Sequence, residues 1–152
     1  MSLNLSERLE TSINEQDAQK LKGFFETINQ EIALIGLVLF GSFSKNSWTI
    51  GSDLDLLVVG RNLPEEWFEK TWSVTRHNPG GLDIFVYSEE EFKQMAADWH
   101  SILLESLYYG EILFDPENTL QKAKNRILKA VKNKLLLPEK DGWNLRPLMG
   151  LE

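Results

Sequence analysis

Two apolar runs separated by a polar turn place the strongest constraint on how this chain can fold. The first run ends immediately before Gly41 and Ser42, and the second opens ten residues later with Asp53 and Asp55. If the second run is a strand, side chains two positions apart point to the same face, so both carboxylates project together. Beyond Asp55 the run is apolar on both faces, which is typical of a buried strand whose polar end emerges from the sheet.

Each half of this stretch favours its own chemistry. Neighbouring carboxylates repel each other at neutral pH, and a hard divalent cation such as Mg²⁺ relieves that repulsion by accepting oxygen ligands. Gly41 has no Cβ, so phosphate oxygens can approach its backbone, and Ser42 adds a hydroxyl and an amide donor. The stretch therefore predicts a phosphate-binding turn that faces a metal site.

Hydrophobic periodicity predicts an α/β (α+β) fold, with a small mixed sheet of about four strands flanked by helices. The predicted strands are residues 32–40, 53–59, 82–87 and 111–114. Asp83 is the second residue of the third strand and shares a face with Phe85 and Tyr87. If that strand pairs beside the second one, Asp83 can join the other two carboxylates.

The predicted helices begin at Asn14, at Pro64, near residue 92, at residue 101 and at Asp115-Pro116. Residues 43–48 predict a further short helix behind the Gly-Ser turn. Ser88 and Glu91 have the spacing of a capping box. Gly110 is predicted to end its helix in the left-handed conformation, and Pro116 to occupy the first position of the last helix.

Length and composition favour one globular domain. The 152 residues predict a single domain, with a core of about residues 14–133 and an apolar tail, residues 134–152, that packs on the domain or on a partner. The net charge of −7 argues against unaided binding to nucleic acid. The absence of cysteine and of any membrane-length apolar run fits a cytoplasmic protein that does not cross a membrane.

The spacing Gly-Ser, ten residues, Asp-x-Asp resembles the signature of the nucleotidyltransferase superfamily that includes DNA polymerase beta. In that superfamily a third carboxylate lies on a neighbouring strand, and Asp83 fits that position. The resemblance covers roughly residues 32–115. The small size and the segment 109–115 look like the minimal nucleotidyltransferases of prokaryotes. One departure is Lys45, which stands where this group often carries Arg and lacks its bidentate fork.

The resemblance implies transfer of a nucleoside monophosphate, AMP from ATP in the leading interpretation, to a hydroxyl acceptor with release of pyrophosphate. Asp53 and Asp55 would bridge two divalent ions, Mg²⁺ or Mn²⁺, and Asp83 would bind the one nearer the acceptor. Gly41 and Ser42 would hold the β and γ phosphates of the NTP. Lys45 is either a further phosphate ligand or a solvated side chain.

Three interpretations of the acceptor stay open. In the minimal group the resemblance implies a small helical HEPN-family protein as partner, toxin to this antitoxin, with AMP transferred to a tyrosine. A second interpretation is a binding module that keeps the nucleotide fold but acts by docking. A third is a small-molecule nucleotidyltransferase that works as a homodimer or other homo-oligomer.

Several further residues favour ordinary structural roles. The lysines of the last helix are interpreted as a solvated face opposite an apolar stripe. Arg76 and His77 are interpreted as loop residues. Tyr108 and Tyr109 are interpreted as packing residues, and the tryptophans as core or rim residues rather than base-stacking platforms.

Overall fold

A computed structural model describes residue 13, residues 15–41 and residues 53–150. These ranges contain five helices: α1 (Glu15–Glu31), α2 (Trp67–Thr75), α3 (Glu89–Ala97), α4 (Ser101–Tyr109) and α5 (Thr119–Lys132). The same ranges contain six strands: β1 (Ala33–Phe40), β2 (Leu54–Arg61), β3 (Leu82–Ser88), β4 (Glu111–Phe114), β5 (Leu137–Glu139) and β6 (Gly142–Asn144). Asn14, where the first helix was predicted to begin, and the predicted helix 43–48 lie outside the described residues.

The main sheet has four strands in the order β3-β2-β1-β4, which confirms the predicted mixed sheet. β1 is antiparallel to both β2 and β4, while β2 and β3 are parallel. Parallel neighbours start at the same edge of a sheet, so the polar beginnings of β2 and β3 come together. Phe40, the last residue of β1, lies opposite Asp55 at that edge.

The first helix packs on the sheet through an apolar stripe. Leu21, Phe24, Phe25 and Ile28 are all buried and follow the spacing of one helical face. Burying a side chain of this size stabilises the fold by about 1.5–3 kcal/mol relative to leaving it exposed. The stripe holds α1 against the sheet.

Two hydrophobic cores cover the two faces of the main sheet. α1 and α2 contribute to the first core, which contains Leu56 and Val58 of β2. α3, α4 and α5 contribute to the second core, which contains Leu57 and Val59. Because side chains alternate along a strand, Asp55 points to the face that α3, α4 and α5 cover.

The predicted start of α2 at Pro64 is wrong, because the helix begins three residues later. The carboxylate of Glu66 accepts hydrogen bonds from the amides of Phe68 at 3.0 Å and Glu69 at 2.8 Å, so it caps the first turn. Pro64 therefore lies in the connection before the helix.

The predicted start of α5 at Pro116 is also wrong. The helix begins at Thr119 after Asn118, whose φ is 59°. Asp115 reaches over this turn, and its two carboxylate oxygens accept hydrogen bonds from the amides of Leu120 at 3.0 Å and Gln121 at 2.8 Å. A carboxylate from before the turn thus caps the helix that the proline was predicted to open.

Gly110 ends α4, as predicted, but not in the left-handed conformation. Its φ of −81° and ψ of 178° are extended, and the chain continues directly into β4. A Cβ atom at this position would collide with the carbonyl oxygen of Ser106 and lie 2.6 Å from that of Leu39. The glycine is needed for close approach of the backbone to β1, which no local pattern reveals.

The C-terminal segment packs on the domain through a short hairpin. β5 and β6 are antiparallel, and Leu136 and Trp143 join the second core. The capping box of Ser88 and Glu91 is confirmed, with both hydrogen bonds present. Among the helices described, none combines the length and the apolar character needed to span a membrane.

Candidate active site

The starts of β2 and β3 bring two of the predicted carboxylates together. Asp55 and Asp83 are partners in the parallel register, so the predicted pairing of their strands is confirmed. Asp55 is half-buried and Asp83 is exposed. Asp53 immediately precedes β2 and is exposed. The pair lies at the edge of the sheet where β1 ends.

Gly41 completes this edge by leaving room for a carboxylate. Its φ is +88°, a left-handed conformation that side chains rarely adopt. A Cβ atom on Gly41 would occupy the place of an Asp55 carboxylate oxygen. The glycine that the sequence assigned to phosphate approach therefore also makes space for Asp55.

The electrostatics of the site are set by crowded negative charge. Burial raises the pKa of Asp55 to about 6, with further contributions from the charge of Asp83, a hydrogen bond with Asp83 and the charge of Asp53. Burial and neighbouring carboxylates both disfavour the ionised form. A bound cation would reverse this effect, since it would favour the ionised form.

The donor set fits a hard divalent cation in chemistry. Carboxylate oxygens are the ligands that Mg²⁺ and Mn²⁺ prefer, and the crowding at Asp55 is the repulsion that such a cation relieves. No group of three acidic, histidine or cysteine side chains converges into a metal cluster within residues 15–41 and 53–150. Asp55 and Asp83 meet, whereas Asp53 acts on Asp55 through its charge.

Two aromatic rings lie on the same sheet face as the carboxylates, and the sequence did not mark either as a site residue. The ring centroids of Phe40 and Phe85 are 5.6 Å apart. Phe40 lies opposite Asp55, and Phe85 follows Asp83 by two residues on the same face. Alternation along the third strand placed Phe85 correctly, but its contact with Phe40 depends on the strand order. Ser42 and Lys45, the other predicted nucleotide ligands, lie outside the described residues.

A comparison with family models matches residues 18–141 of this chain to the nucleotidyltransferase domain. No curated protein matches the sequence. Among solved structures, a protein of Sulfolobus solfataricus assigned as a nucleotidyltransferase has a TM-score of 0.50 and 21% identity, over 65% of this chain and 80% of that one.

Two toxin–antitoxin structures have the same degree of similarity in fold. One, with AMP-PNP, has a TM-score of 0.50 and 12% identity, over 74% of this chain and 87% of that one. The other, an MntA–HpeT complex with two Asp-to-Glu substitutions, has a TM-score of 0.50 and 11% identity, over 81% and 90%. At these identities the likeness is one of fold. Because the family model spans most of the chain, this protein belongs to the nucleotidyltransferase domain family.

Proposed function

We propose that this chain transfers AMP from ATP to a hydroxyl group of a partner protein, in a reaction that depends on Mg²⁺ or Mn²⁺. The observation that supports this best is the pairing of Asp55 with Asp83 at the sheet edge where Gly41 follows the first strand. Two carboxylates beside a glycine turn offer a place for a cation and a phosphate chain together.

The proposed metal ligands are Asp53, Asp55 and Asp83. A divalent ion bound there would lower the pKa of the acceptor hydroxyl and neutralise charge on the phosphates. The chain's own residues would do the positioning: Gly41 keeps space for the Asp55 carboxylate, and its backbone, with Ser42 and Lys45, would hold the β and γ phosphates. In the transfer, the acceptor hydroxyl loses its proton to solvent and its oxygen bonds to the α phosphorus. The bond from the α phosphorus to the bridging oxygen breaks, and pyrophosphate leaves with that oxygen.

The proposed acceptor is a tyrosine hydroxyl of a HEPN-family toxin, with this chain as the antitoxin. The motif's resemblance to the minimal nucleotidyltransferases supports this acceptor. Two solved structures of similar fold are toxin–antitoxin complexes, one of them with AMP-PNP. The proposal places the protein in the cytoplasm, where ATP and such a partner are both present.

The experiment that tests this proposal follows the α phosphate of labelled ATP into protein. Purified chain is incubated with Mg²⁺, labelled ATP and a HEPN protein from the same source, and label on the partner is measured. We expect Asp55→Asn to lower the transfer rate by at least about 100-fold, the scale on which loss of one electrostatic group is felt in catalysis.

Glu26→Gln is the matched control, since Glu26 is an exposed carboxylate on α1. It should leave the rate unchanged. Full transfer by the Asp55→Asn protein would refute the catalytic assignment. If another protein in a lysate were labelled and the HEPN protein were not, the proposed reaction would stand and the proposed acceptor would be wrong.

A docking module is the second candidate, and an exposed aromatic surface on α2 favours it. Trp67, Phe68 and Trp72 are 67%, 63% and 56% exposed, which is unusual for large apolar side chains on one short helix. Calorimetry with Mg²⁺ and ATP separates the two candidates. A catalyst binds ATP only with the metal, whereas a chain that has lost the nucleotide site gives no heat with either ligand.

A further inference from the structure

Three aromatic rings cluster on the same side of the main sheet as Asp55 and Asp83. Tyr108 and Tyr109 end α4, and Trp143 lies in β6. The ring centroid of Tyr108 is 4.9 Å from that of Tyr109 and 5.1 Å from that of Trp143, and both pairs meet edge to face. All three side chains are half-buried. We call Tyr108, Tyr109 and Trp143 the aromatic wall.

The packing of α4 on β1 brings the aromatic wall near the carboxylates. A Cβ atom on Gly110, the residue after Tyr109, would lie 2.9 Å from Cβ of Phe40. Phe40 is the cross-strand neighbour of Asp55. With about 5 Å across a strand pair and about 3.8 Å per residue step, the backbones of Tyr109 and Asp55 lie within about 15 Å of each other. One nucleoside can bridge such a span.

Trp143 is held in place by a polar contact as well as by packing. Its indole Nε1 donates a hydrogen bond to Oε2 of Glu105, on α4, at 3.2 Å. The C-terminal hairpin therefore places the Trp143 ring in the aromatic wall in a defined orientation. Trp143 lies just past residue 141, where the family match ends.

We propose that the aromatic wall is the nucleobase subsite, with the base of the nucleoside triphosphate stacked against it while the phosphates lie at the carboxylates. This inference rests on the proposed function. Every base has a π face that can stack on an aromatic ring, so the wall accepts more than one base. Purines offer the larger face, which gives the site a preference for purine over pyrimidine nucleotides.

Calorimetry on the full chain with two probes separates the contribution of the nucleoside to binding from that of the phosphates. One probe is α,β-methylene ATP, which cannot transfer its nucleoside monophosphate, and the other is inorganic tripolyphosphate, both with Mg²⁺. We expect Trp143→Ala to lower the affinity for the nucleotide analogue about tenfold, in line with the loss of one base–aromatic stack. Tripolyphosphate, which has no base, should bind the variant as it binds the wild type.

Further variants guard against a purely structural effect. Trp143→Phe keeps a ring and should retain most of the affinity, whereas Tyr108→Leu keeps apolar volume and should lose affinity for the analogue alone. Leu128→Ala is the matched control, since Leu128 is a large apolar side chain of α5 that is 41% exposed. It should change neither affinity.

The results that would overturn the inference are distinct from those that would overturn the proposed function. The inference would be wrong if Trp143→Ala and Tyr108→Leu both left the affinity for the analogue unchanged. It would also be wrong if they lowered the affinities for both probes equally. In either case the aromatic wall would have only a packing role. The transferase proposal would then still stand. Wild-type protein that binds neither probe would overturn both proposals.

Discussion

Gly41 and Asp55 share a space that only a glycine leaves open. The left-handed φ of +88° and the position of the Asp55 carboxylate both exclude a side chain at residue 41. At this position one residue type serves the backbone turn and the placement of a charged group. The same two residues therefore influence both stability and the proposed chemistry.

Gly41→Ala should destabilise the protein by about 1–3 kcal/mol, because the new Cβ meets the Asp55 carboxylate in a strained backbone conformation. Urea unfolding monitored by circular dichroism measures this change. Gly23→Ala is the control, since Gly23 lies inside α1 and a Cβ added there would meet nothing within 4 Å. That substitution should stabilise the protein by about 0.5–1 kcal/mol. Destabilisation of the same size at both positions would contradict the argument.

At the scale of elements, carboxylates decide where three of the helices begin. Glu66 caps α2, Asp115 caps α5 from outside it, and Glu91 closes the capping box of α3. Glu91 has a second task, since its Oε1 also lies 2.6 Å from Nζ of Lys70 on α2. Lys70 is 4% exposed, so this ion pair joins α2 to α3 through a buried ammonium and a partly exposed carboxylate.

Glu91→Gln should destabilise the protein by about 1–3 kcal/mol at neutral pH, because a buried ammonium loses its charged partner. Burial tends to raise the pKa of Glu91, but hydrogen bonds from Lys70 and Ser88 outweigh it and hold the pKa below its usual value. The wild type therefore gains stability from this group above its unfolded-state pKa. It loses that stability as pH falls through the lower folded-state pKa.

Urea unfolding at a series of pH values from neutrality into acid checks this prediction. The difference between wild type and Glu91→Gln should be largest near neutrality and shrink in acid. Glu90→Gln is the matched control, since Glu90 is an exposed neighbour in the same helical turn. A Glu91→Gln difference that is constant over the whole pH range would show that charge is not its cause.

Across the whole molecule, the two ends of β2 differ in how their charges interact: carboxylates repel each other at one end, and an arginine pairs with carboxylates at the other. At one end Asp55 lies beside Asp83, and burial and repulsion oppose ionisation. At the other end the Arg61 guanidinium makes paired hydrogen bonds, between 2.8 and 3.1 Å, to the carboxylates of Glu89 and Glu117. Arg61 therefore links β2 to α3 and to the segment before α5 through ion pairs. At the Asp55 end, the repulsion between carboxylates is unfavourable to folding.

Asp55→Asn should therefore stabilise the metal-free protein at neutral pH while it lowers the transfer rate by at least about 100-fold. We expect the melting temperature in EDTA to rise by about 2–4 °C, which corresponds to about 1 kcal/mol in a chain of this size after allowing for solvent screening. Added Mg²⁺ should raise the melting temperature of the wild type and leave that of the variant nearly unchanged.

Differential scanning calorimetry in EDTA and in Mg²⁺ makes this comparison, with Glu26→Gln as the exposed carboxylate control. The control should follow the wild type in both conditions. A metal-free Asp55→Asn protein that melts below the wild type would mean that the carboxylate is structurally required rather than electrostatically strained.

Local chemistry alone determined much of this protein. The burial of β2 on both faces beyond Asp55 follows from its continuous apolar run, and the capping box of Ser88 and Glu91 from hydrogen bonds within one helical turn. The strand bounds and the apolar stripe of α1 also follow from local periodicity. These features need no partner distant in sequence, so the residues themselves predict them.

Only the tertiary structure decided what depends on residues distant in sequence. Asp83 meets Asp55 because β3 pairs in parallel with β2 in one particular register. Gly110 is extended because β1 passes close beside it, and Trp143 reaches α4 because the C-terminal hairpin folds back onto the second core. These placements depend on how separate elements pack, and the free energy of that packing has no signature in any short stretch of sequence.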